Sequence, residues 1–289
     1  MSYPKFDAII KTAETGSFTK AAELLGYTQP RISYIIQSLE SEWGVSLLTR
    51  ERTGVRLTSE GEILMPFLKE VCNAHDSLER KIDELHGLES GLIRIGTVGS
   101  VALHWLPNII KHYIVDYPQI DFEILHGSYT DIEQWIGEGI VDFGFLRYPL
   151  CEKWDSIPLG EDRLMVIMPH KHRLAKAKKF PTAELANEPF ILIMEGKDNN
   201  VVEFFEQHNI TPNIRFTAMD DATATSMVES GLGICILPEL MLHRTPYRII
   251  KKEMDIPFKR HICLAIKNLE NTTTAVKRFM EYLHYRNDE

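Results

Sequence analysis

A short helix, a glycine and a second helix follow one another near the start of this chain, and this pattern constrains the fold most. The first helix is predicted over residues 17–25, with Ser17 as its N-cap, and Gly26 ends it. The second begins at Thr28 and buries one apolar face, formed by Ile32, Ile35, Ile36 and Leu39. Such a pair fits either a DNA-reading helix-turn-helix or a small helical bundle with a solvated face.

The first turn of the second helix carries polar side chains where a reading helix presents them to base edges. A Gln side chain pairs with adenine through two hydrogen bonds, and an Arg side chain pairs with guanine in the same way. The predicted DNA contacts of this region, including the N-cap of the preceding helix, are Ser17, Thr28, Gln29, Pro30, Arg31, Ser33 and Tyr34.

Residues 47–58 are predicted to form two short strands around a central glycine, and they contain three arginines. Arginines on a hairpin neutralise phosphates or enter a minor groove, so Arg50 and Arg52 are predicted DNA contacts; solvated turn residues are the alternative. The net charge is −9, yet residues 1–60 carry seven basic and seven acidic residues. The excess negative charge therefore lies beyond residue 60, where it repels phosphates.

A long helix is predicted from Ser59 to residue 88, with an apolar residue at every seventh position. The repeat consists of Leu64, Val71, Leu78 and Leu85, and it is widened by Phe67, Leu68, Ala74 and Ile82. A 3.5-residue period keeps one stripe facing a partner helix, so the pattern predicts dimerisation through this helix. Packing of the stripe against its own domain is the alternative.

From residue 92 the pattern changes to strands that alternate with helices. Apolar runs such as 92–98 and 141–145 predict strands, and residues 101–115 predict a helix. This alternation is typical of α/β layering with a largely parallel sheet, and roughly 200 residues suit two small lobes better than one. The two lobes are predicted over about 92–161 with 267–289, and over about 162–266.

Composition and spacing exclude several classes of protein. The four cysteines lie far apart in the sequence and are interpreted as small apolar fillers, so no metal or dithiol site is predicted. No arrangement of nucleophile and base stands out among the histidines, so neither an enzyme nor a cofactor is predicted. Without a secretory signal pattern or an apolar run of about 20 residues, the chain is expected to be cytoplasmic, without membrane contact.

Two runs of residues carry a family resemblance. From Phe6 the chain contains F-x-x-I-x-x-x-x-x-T-G-S-F-T-x-A-A-x-L-L-x-x-T-Q-P-x-I-S-x-x-I-x-x-L-E, and from Leu47 it contains L-L-x-R-x-R-x-G-V-x-L-T-x-x-G. It thereby resembles the LysR-type transcriptional regulators, strongly to about residue 88 and more loosely beyond. The resemblance implies a winged helix-turn-helix domain over 1–58, a dimerisation linker helix over 59–88, and a two-lobed α/β effector domain, similar to periplasmic binding proteins, over 92–289.

In that family an inducer in the interlobe cleft changes how a tetramer contacts and bends promoter DNA. The resemblance therefore implies a transcription regulator whose partners are double-stranded promoter DNA, a small-molecule effector and further copies of itself, as a homodimer or homotetramer. A free-standing metabolite-binding protein would explain residues 92–289 but not the helices before them. The chain departs from the family at Arg31, where a small residue is common, and at Tyr34, where Arg is common, so no operator sequence is carried over.

The resemblance also implies where the effector binds. The implied contacts are Gly99, Ser100, Val101, Ser128, Tyr129, Arg147, Met194, Glu195, Asp220 and Thr223. Some have structural alternatives, because Ser100 and Asp220 also suit helix caps and Arg147 suits a bridge between the lobes. Donors on the first lobe suit one carboxylate, and acids on the second lobe repel a dianion, so a small monocarboxylate or zwitterion is expected.

Overall fold

The structure, a computed structural model, describes residues 4–51, 54–85, 91–194 and 199–287. The chain forms two compact units, one made chiefly of residues 1–89 and the other chiefly of residues 90–289. The predicted contacts Arg52 and Glu195 lie outside the described residues, as does the end of the predicted linker helix after residue 85. Within the described ranges, no helix is both long enough and apolar enough to cross a membrane.

The first unit is built from helices around one hairpin. Its described elements are α1 (Pro4–Thr15), α2 (Phe18–Leu25), α3 (Gln29–Trp43), β1 (Leu48–Glu51), β2 (Gly54–Leu57) and α4 (Ser59–Leu85). Strands β1 and β2 pair antiparallel, and the apolar faces of the first three helices meet in one core that contains Ile9, Ile32 and Ile36. The predicted helix-turn-helix and its wing are confirmed.

Backbone hydrogen bonds fasten the wing to the helices. The N–H of Val55 donates to the carbonyl of Gly16 over 2.9 Å. The Glu40 carboxylate, on α3, accepts the N–H groups of Leu47 and Leu48 over 2.6 and 3.1 Å. Because these N–H groups lie at the entry to β1 and are only part-exposed, the carboxylate supplies the acceptor that they need. The wing therefore takes a defined place beside α3.

Helix α4 carries two apolar faces that differ in burial. Met65, Leu68 and Cys72 pack into the core of the first unit, with Leu64 at its edge. The opposite face is exposed and consists of Ile63, Phe67, Val71, Ala74, Leu78 and Ile82. Leu64 and Leu68 were expected in the intermolecular stripe, but they pack on their own domain. One face of the helix must cover the first-unit core, and these two positions turn toward it.

The second unit contains two α/β lobes. Its described helices are α5 (Gly99–His104), α6 (Leu106–Asp116), α7 (Tyr129–Glu138), α8 (Asn200–Gln207), α9 (Asp221–Glu229) and α10 (Thr274–Glu281). Its strands are β3 (Gly91–Thr97), β4 (Ile120–His126), β5 (Phe143–Arg147), β6 (Asp155–Pro169), β7 (Pro189–Ile193), β8 (Asn213–Ala218), β9 (Cys235–Pro238), β10 (Ile249–Lys252) and β11 (Lys259–Ile266). Short 3-10 turns connect several of these elements.

The sheet is mixed, where a largely parallel one was expected. Its strand order is β10-β6-β11-β5-β3-β4, with β9 also on β6, while β7 and β8 pair separately. Strand β3 runs parallel to β4 and β5, and β7 runs parallel to β8. Strand β11 runs antiparallel to both β5 and β6, because the chain returns along it to the first lobe.

Strands β6 and β11 join the two lobes. Leu159 packs in the first-lobe core and Leu164 in the second, so the chain crosses within β6. On the return, Phe258 packs against the second-lobe core, whereas Ile262 belongs to the first. The predicted lobe boundary at residue 266 therefore lies later than the crossing that the packing shows. The apolar run of β11 predicts a single strand, and no residue in it indicates that the strand crosses from the second lobe to the first.

Two cysteines that are far apart in the sequence meet in the first lobe. The structure joins Cys151 to Cys263 in a disulfide, with their Cα atoms 6.8 Å apart. The other two, Cys72 and Cys235, are free and buried. The interpretation of all four cysteines as apolar fillers thus fits Cys72 and Cys235. Cys151 and Cys263 instead link β11 covalently to the turn after β5.

Candidate functional site

Helix α3 presents a polar face to solvent. Among the predicted contacts, Thr28, Pro30, Arg31 and Tyr34 are exposed, while Gln29 and Ser33 are half-buried. Tyr34 keeps 72% of its surface accessible although it is aromatic. Gln37 continues this face one turn beyond Tyr34 and is also exposed. Gln37 was not predicted from the sequence, although its i+3 spacing from Tyr34 indicates the position.

The wing places an arginine directly against α3. The Arg50 guanidinium donates to Ser33 Oγ over 3.1 Å and lies 4.5 Å from the centre of the Phe18 ring. Arg31 lies 4.9 Å from the centre of the Tyr27 ring. Contact with an aromatic face positions each guanidinium without neutralising its charge. The surface therefore combines polar side chains from α3 with two cationic groups.

The remaining predicted residues of this surface are Ser17 on α2 and the second arginine of the wing. Ser17 Oγ accepts the N–H of Lys20 over 3.4 Å and so caps α2. Arg52 lies outside the described residues. Arg56, which follows it in the hairpin, is exposed and pairs with Glu51 at 3.5 Å.

A cavity of about 700 Å³ lies between the two lobes of the second unit. The start of α5 and the loop from β4 to α7 form its first-lobe wall, and the end of β7 and start of α9 form the second. This volume is typical of small-molecule sites. Five predicted effector contacts line it: Gly99, Ser128, Tyr129, Met194 and Asp220.

Four predicted effector contacts do not line this cavity. Val101 is fully buried in the first-lobe core, and Ser100 is only 3% exposed. Thr223 is exposed on α9, where its hydroxyl donates to Asp220. The fourth, Arg147, lies at the end of β5 and is described below. Residues that adjoin in sequence thus separate in space, because a helix turns successive side chains about 100° apart.

Arg260 lines the cavity and was not predicted from the sequence. Its side chain is 7% exposed and donates to Asp162 Oδ2 from Nε and Nη2, over 3.0 and 2.7 Å. Nη2 also donates to Ser100 Oγ over 2.6 Å, and Nη1 donates to the Tyr129 hydroxyl over 3.1 Å. Asp162 and Arg260 face one another in the register of β6 and β11. Since 98 residues separate them, no local sequence pattern indicates the pair.

Arg147 connects the lobes. It is 8% exposed, and its Nη2 donates to Glu203 on α8 of the second lobe. Its guanidinium carbon lies 5.9 Å from the centre of the Tyr129 ring. Its buried Nε–H has no hydrogen-bond acceptor among the described residues. The side chain therefore acts in this structure as the interlobe bridge that the sequence left as an alternative.

Carboxylates occupy both walls of the cavity. Asp131 Oδ2 accepts the backbone N–H and the hydroxyl of Ser128, over 2.9 and 2.6 Å. Asp220 caps α9, and a hydrogen bond from the backbone N–H of Thr223, followed by one from its hydroxyl, lowers the pKa of Asp220. Asp221 lies next to it, and its Oδ2 is 3.7 Å from where a Cβ on Gly99 would be. The acids of the second lobe thus reach the first-lobe wall.

Replacing Asp162 by Asn is expected to lower the free energy of unfolding by about 3 kcal/mol, because a buried arginine then lacks its counter-ion. Urea unfolding of the purified protein measures this change. The matched control is Glu161→Gln, which breaks the exposed Lys259–Glu161 pair one position away on the same strands and should have no measurable effect. Equal stability of the Asp162 variant and the native chain would contradict the assignment.

Two family models match the chain. One, described as "LysR substrate binding domain", matches residues 86–287. The other, described as "Bacterial regulatory helix-turn-helix protein, lysR family", matches residues 5–62. Together they cover both units of the structure.

Full-length relatives and solved structures agree with these matches. The chain is 31% identical to the HTH-type transcriptional regulator YvbU of Bacillus subtilis, with 97% of each chain covered. It superposes on the crystal structure of CbnR, a LysR family transcriptional regulator, with a TM-score of 0.74, 19% identity and full coverage of both chains. A structure of full-length CbnR complexed with target DNA superposes with a TM-score of 0.72 at 20% identity. The match covers 99% of this chain and 100% of that chain. At these identities the two structures show the fold.

Proposed function

The chain belongs to the LysR family of bacterial transcriptional regulators, and we propose that it reads promoter DNA with the exposed face of α3 and the wing arginines. One observation carries the proposal: Arg50 of the wing is hydrogen-bonded to Ser33 of α3, so cationic and base-reading groups form one surface. CbnR, which has the same fold, was crystallised with its target DNA. The proposed contacts are Ser17, Thr28, Gln29, Pro30, Arg31, Ser33, Tyr34, Arg50 and Arg52.

We further propose that a small molecule in the interlobe cavity controls this binding. The effector domain of the family supports the proposal, and so does the size of the cavity. A small monocarboxylate or zwitterion suits it, since the guanidinium of Arg260 lines the cavity and the acids of both walls repel a dianion. The protein is proposed to act in the cytoplasm, where its DNA is, and without catalysis of its own, as the family's regulators do.

The exposed stripe of α4 supports a homodimer as the basic assembly. Phe67, Val71 and Leu78 are 61%, 44% and 58% exposed, on a helix of 27 residues. Contiguous apolar surface of this kind on one helix is typical of an interface with a second helix. A homotetramer would be built from two such dimers.

Gln29→Ala tests the reading role of α3. Loss of a two-bond contact with a base should weaken binding to the cognate promoter by about 1–3 kcal/mol, while binding to unrelated DNA stays the same. Fluorescence anisotropy with both DNA fragments measures the two affinities. Unchanged affinity for the cognate fragment would remove Gln29 from the reading surface.

Arg50→Ala tests the wing. Loss of one phosphate contact should weaken cognate and unrelated DNA alike and reduce the slope of log affinity against log salt by about 0.9. The control is Arg173→Ala, which removes an exposed, acid-paired arginine of the second unit and should leave the slope unchanged. If the Arg50 variant keeps the native slope of log affinity against log salt, the Arg50 guanidinium does not contact a phosphate.

Leu78→Asp tests the dimer. A charge within the stripe would be buried against its symmetry mate, so we expect monomers. They should have lost promoter affinity, since two reading helices must span two half-sites. Light scattering measures the mass. Ser41→Asp, at an exposed position of α3, is the control for an added charge and should remain dimeric. A dimeric Leu78 variant would assign the interface to another surface.

A further inference from the structure

We infer that the effector carries a protonated amine, bound by the acids that line the interlobe cavity, and that this cationic nitrogen is obligatory. The inference rests on the proposed function, since it concerns the ligand of the same cavity. It narrows the proposed ligand class from monocarboxylates and zwitterions to amino-bearing compounds.

The charges of the described residues that line the cavity are unbalanced. Among the described lining residues the acids are Asp131, Asp220 and Asp221, and Arg260 is the arginine. The charge of Arg260 is already balanced by Asp162, 2.7 Å away. Even a protonated His126, which also lines the cavity, would leave negative charge in excess. A ligand with positive charge therefore lowers the electrostatic energy of this cavity, and an anionic ligand raises it.

Two of the side-chain donors expected to hold a carboxylate are engaged. The Ser128 hydroxyl donates to Asp131 over 2.6 Å. Arg147 is paired with Glu203 across the lobes and does not line the cavity. Ser100 does not line the cavity either, and its Oγ accepts a hydrogen bond from Arg260. A carboxylate bound by the Ser128 hydroxyl would have to displace Asp131, whereas an ammonium group would not.

The acids that line the cavity come from both lobes. Asp131 lies at the start of α7 in the first lobe, and Asp220 and Asp221 lie at the start of α9 in the second. The lowered pKa of Asp220 keeps it ionised at neutral pH. An ammonium group has three N–H donors and no acceptor, so it suits carboxylates that approach from different directions. Its binding would also connect the two walls.

Apolar side chains line the rest of the cavity and lie open to it. Leu103, Met194 and Met219 are 60%, 50% and 79% exposed, although each lines the cavity. Exposed apolar groups in a concave site indicate a ligand that covers them, and methionine side chains adapt to ligands of varied shape. The amine is therefore attached to a hydrocarbon or aromatic body, with or without a carboxylate.

The test uses the full-length protein and matched compounds. Aliphatic, phenyl and indolyl skeletons are each supplied as primary amine, amino acid, carboxylate and alcohol, and titration calorimetry measures their affinities. We expect the amine or amino acid of at least one skeleton to bind about tenfold or more tightly than its carboxylate and alcohol. The inference is overturned if a carboxylate or alcohol binds as tightly as its amine, or if none of the amines and amino acids binds.

Two variants assign the binding to the acids. Asp220→Asn keeps a residue that caps helices, so α9 should remain folded, and Asp221→Asn preserves shape. Each substitution should weaken binding of the amine about tenfold. The control is Asp121→Asn, which changes an exposed acid on β4 outside the cavity and should leave the affinity for the amine unchanged. Native affinity in both cavity variants would overturn the inference.

Promoter binding by the same preparations separates this inference from the proposed function. A protein that retards promoter DNA but binds none of the amino compounds retains the proposed DNA-binding function and loses this inference. A protein that binds an amine but no promoter DNA retains the inference and loses the proposed function.

Discussion

The buried ion pair between Asp162 and Arg260 is the interaction on which the second unit most depends. Charged groups this far from water are tolerated only when they are paired and hydrogen-bonded. Arg260 also donates to Ser100 and Tyr129 of the first lobe, and Asp162 accepts the N–H of Leu240, which follows β9 of the second lobe. The strands that cross between the lobes are thus locked in register at the floor of the cavity.

In the first unit the corresponding constraint is the attachment of the wing. The Glu40 carboxylate accepts the N–H groups of Leu47 and Leu48 at the entry to β1, and the Gly16 carbonyl accepts the N–H of Val55 on β2. The wing therefore cannot swing away from α3 without leaving polar groups unpaired, which costs free energy. Because the wing is attached in this way, Arg50 on β1 contacts Ser33 on α3, and the two elements form one surface.

Prediction from sequence succeeded where the signal is periodic and local. The helix-turn-helix, the wing, the α/β character of the rest and the family are all confirmed. It gave less where a residue's neighbours come from distant parts of the chain. Val101 was predicted as a ligand contact, and its side chain lies in a core, while Arg260 was not predicted and lines the cavity. The family resemblance at the start of α5 indicated a region of the chain. It did not show which side chain there faces the cavity and which one lies behind the cavity wall.

The sequence by itself determined the elements and their apolar faces, because spacing at i, i+3 and i+4 decides which side of a helix is buried whatever it packs against. Ile32 and Ile36 are therefore buried as expected. Only the tertiary structure decided which partners those faces and the buried charges meet. Leu68 covers its own domain while Leu78 stays exposed, and Asp162 meets Arg260 across 98 residues. Such pairings depend on strand register and lobe crossing, which arise from packing over the whole unit and leave no local pattern.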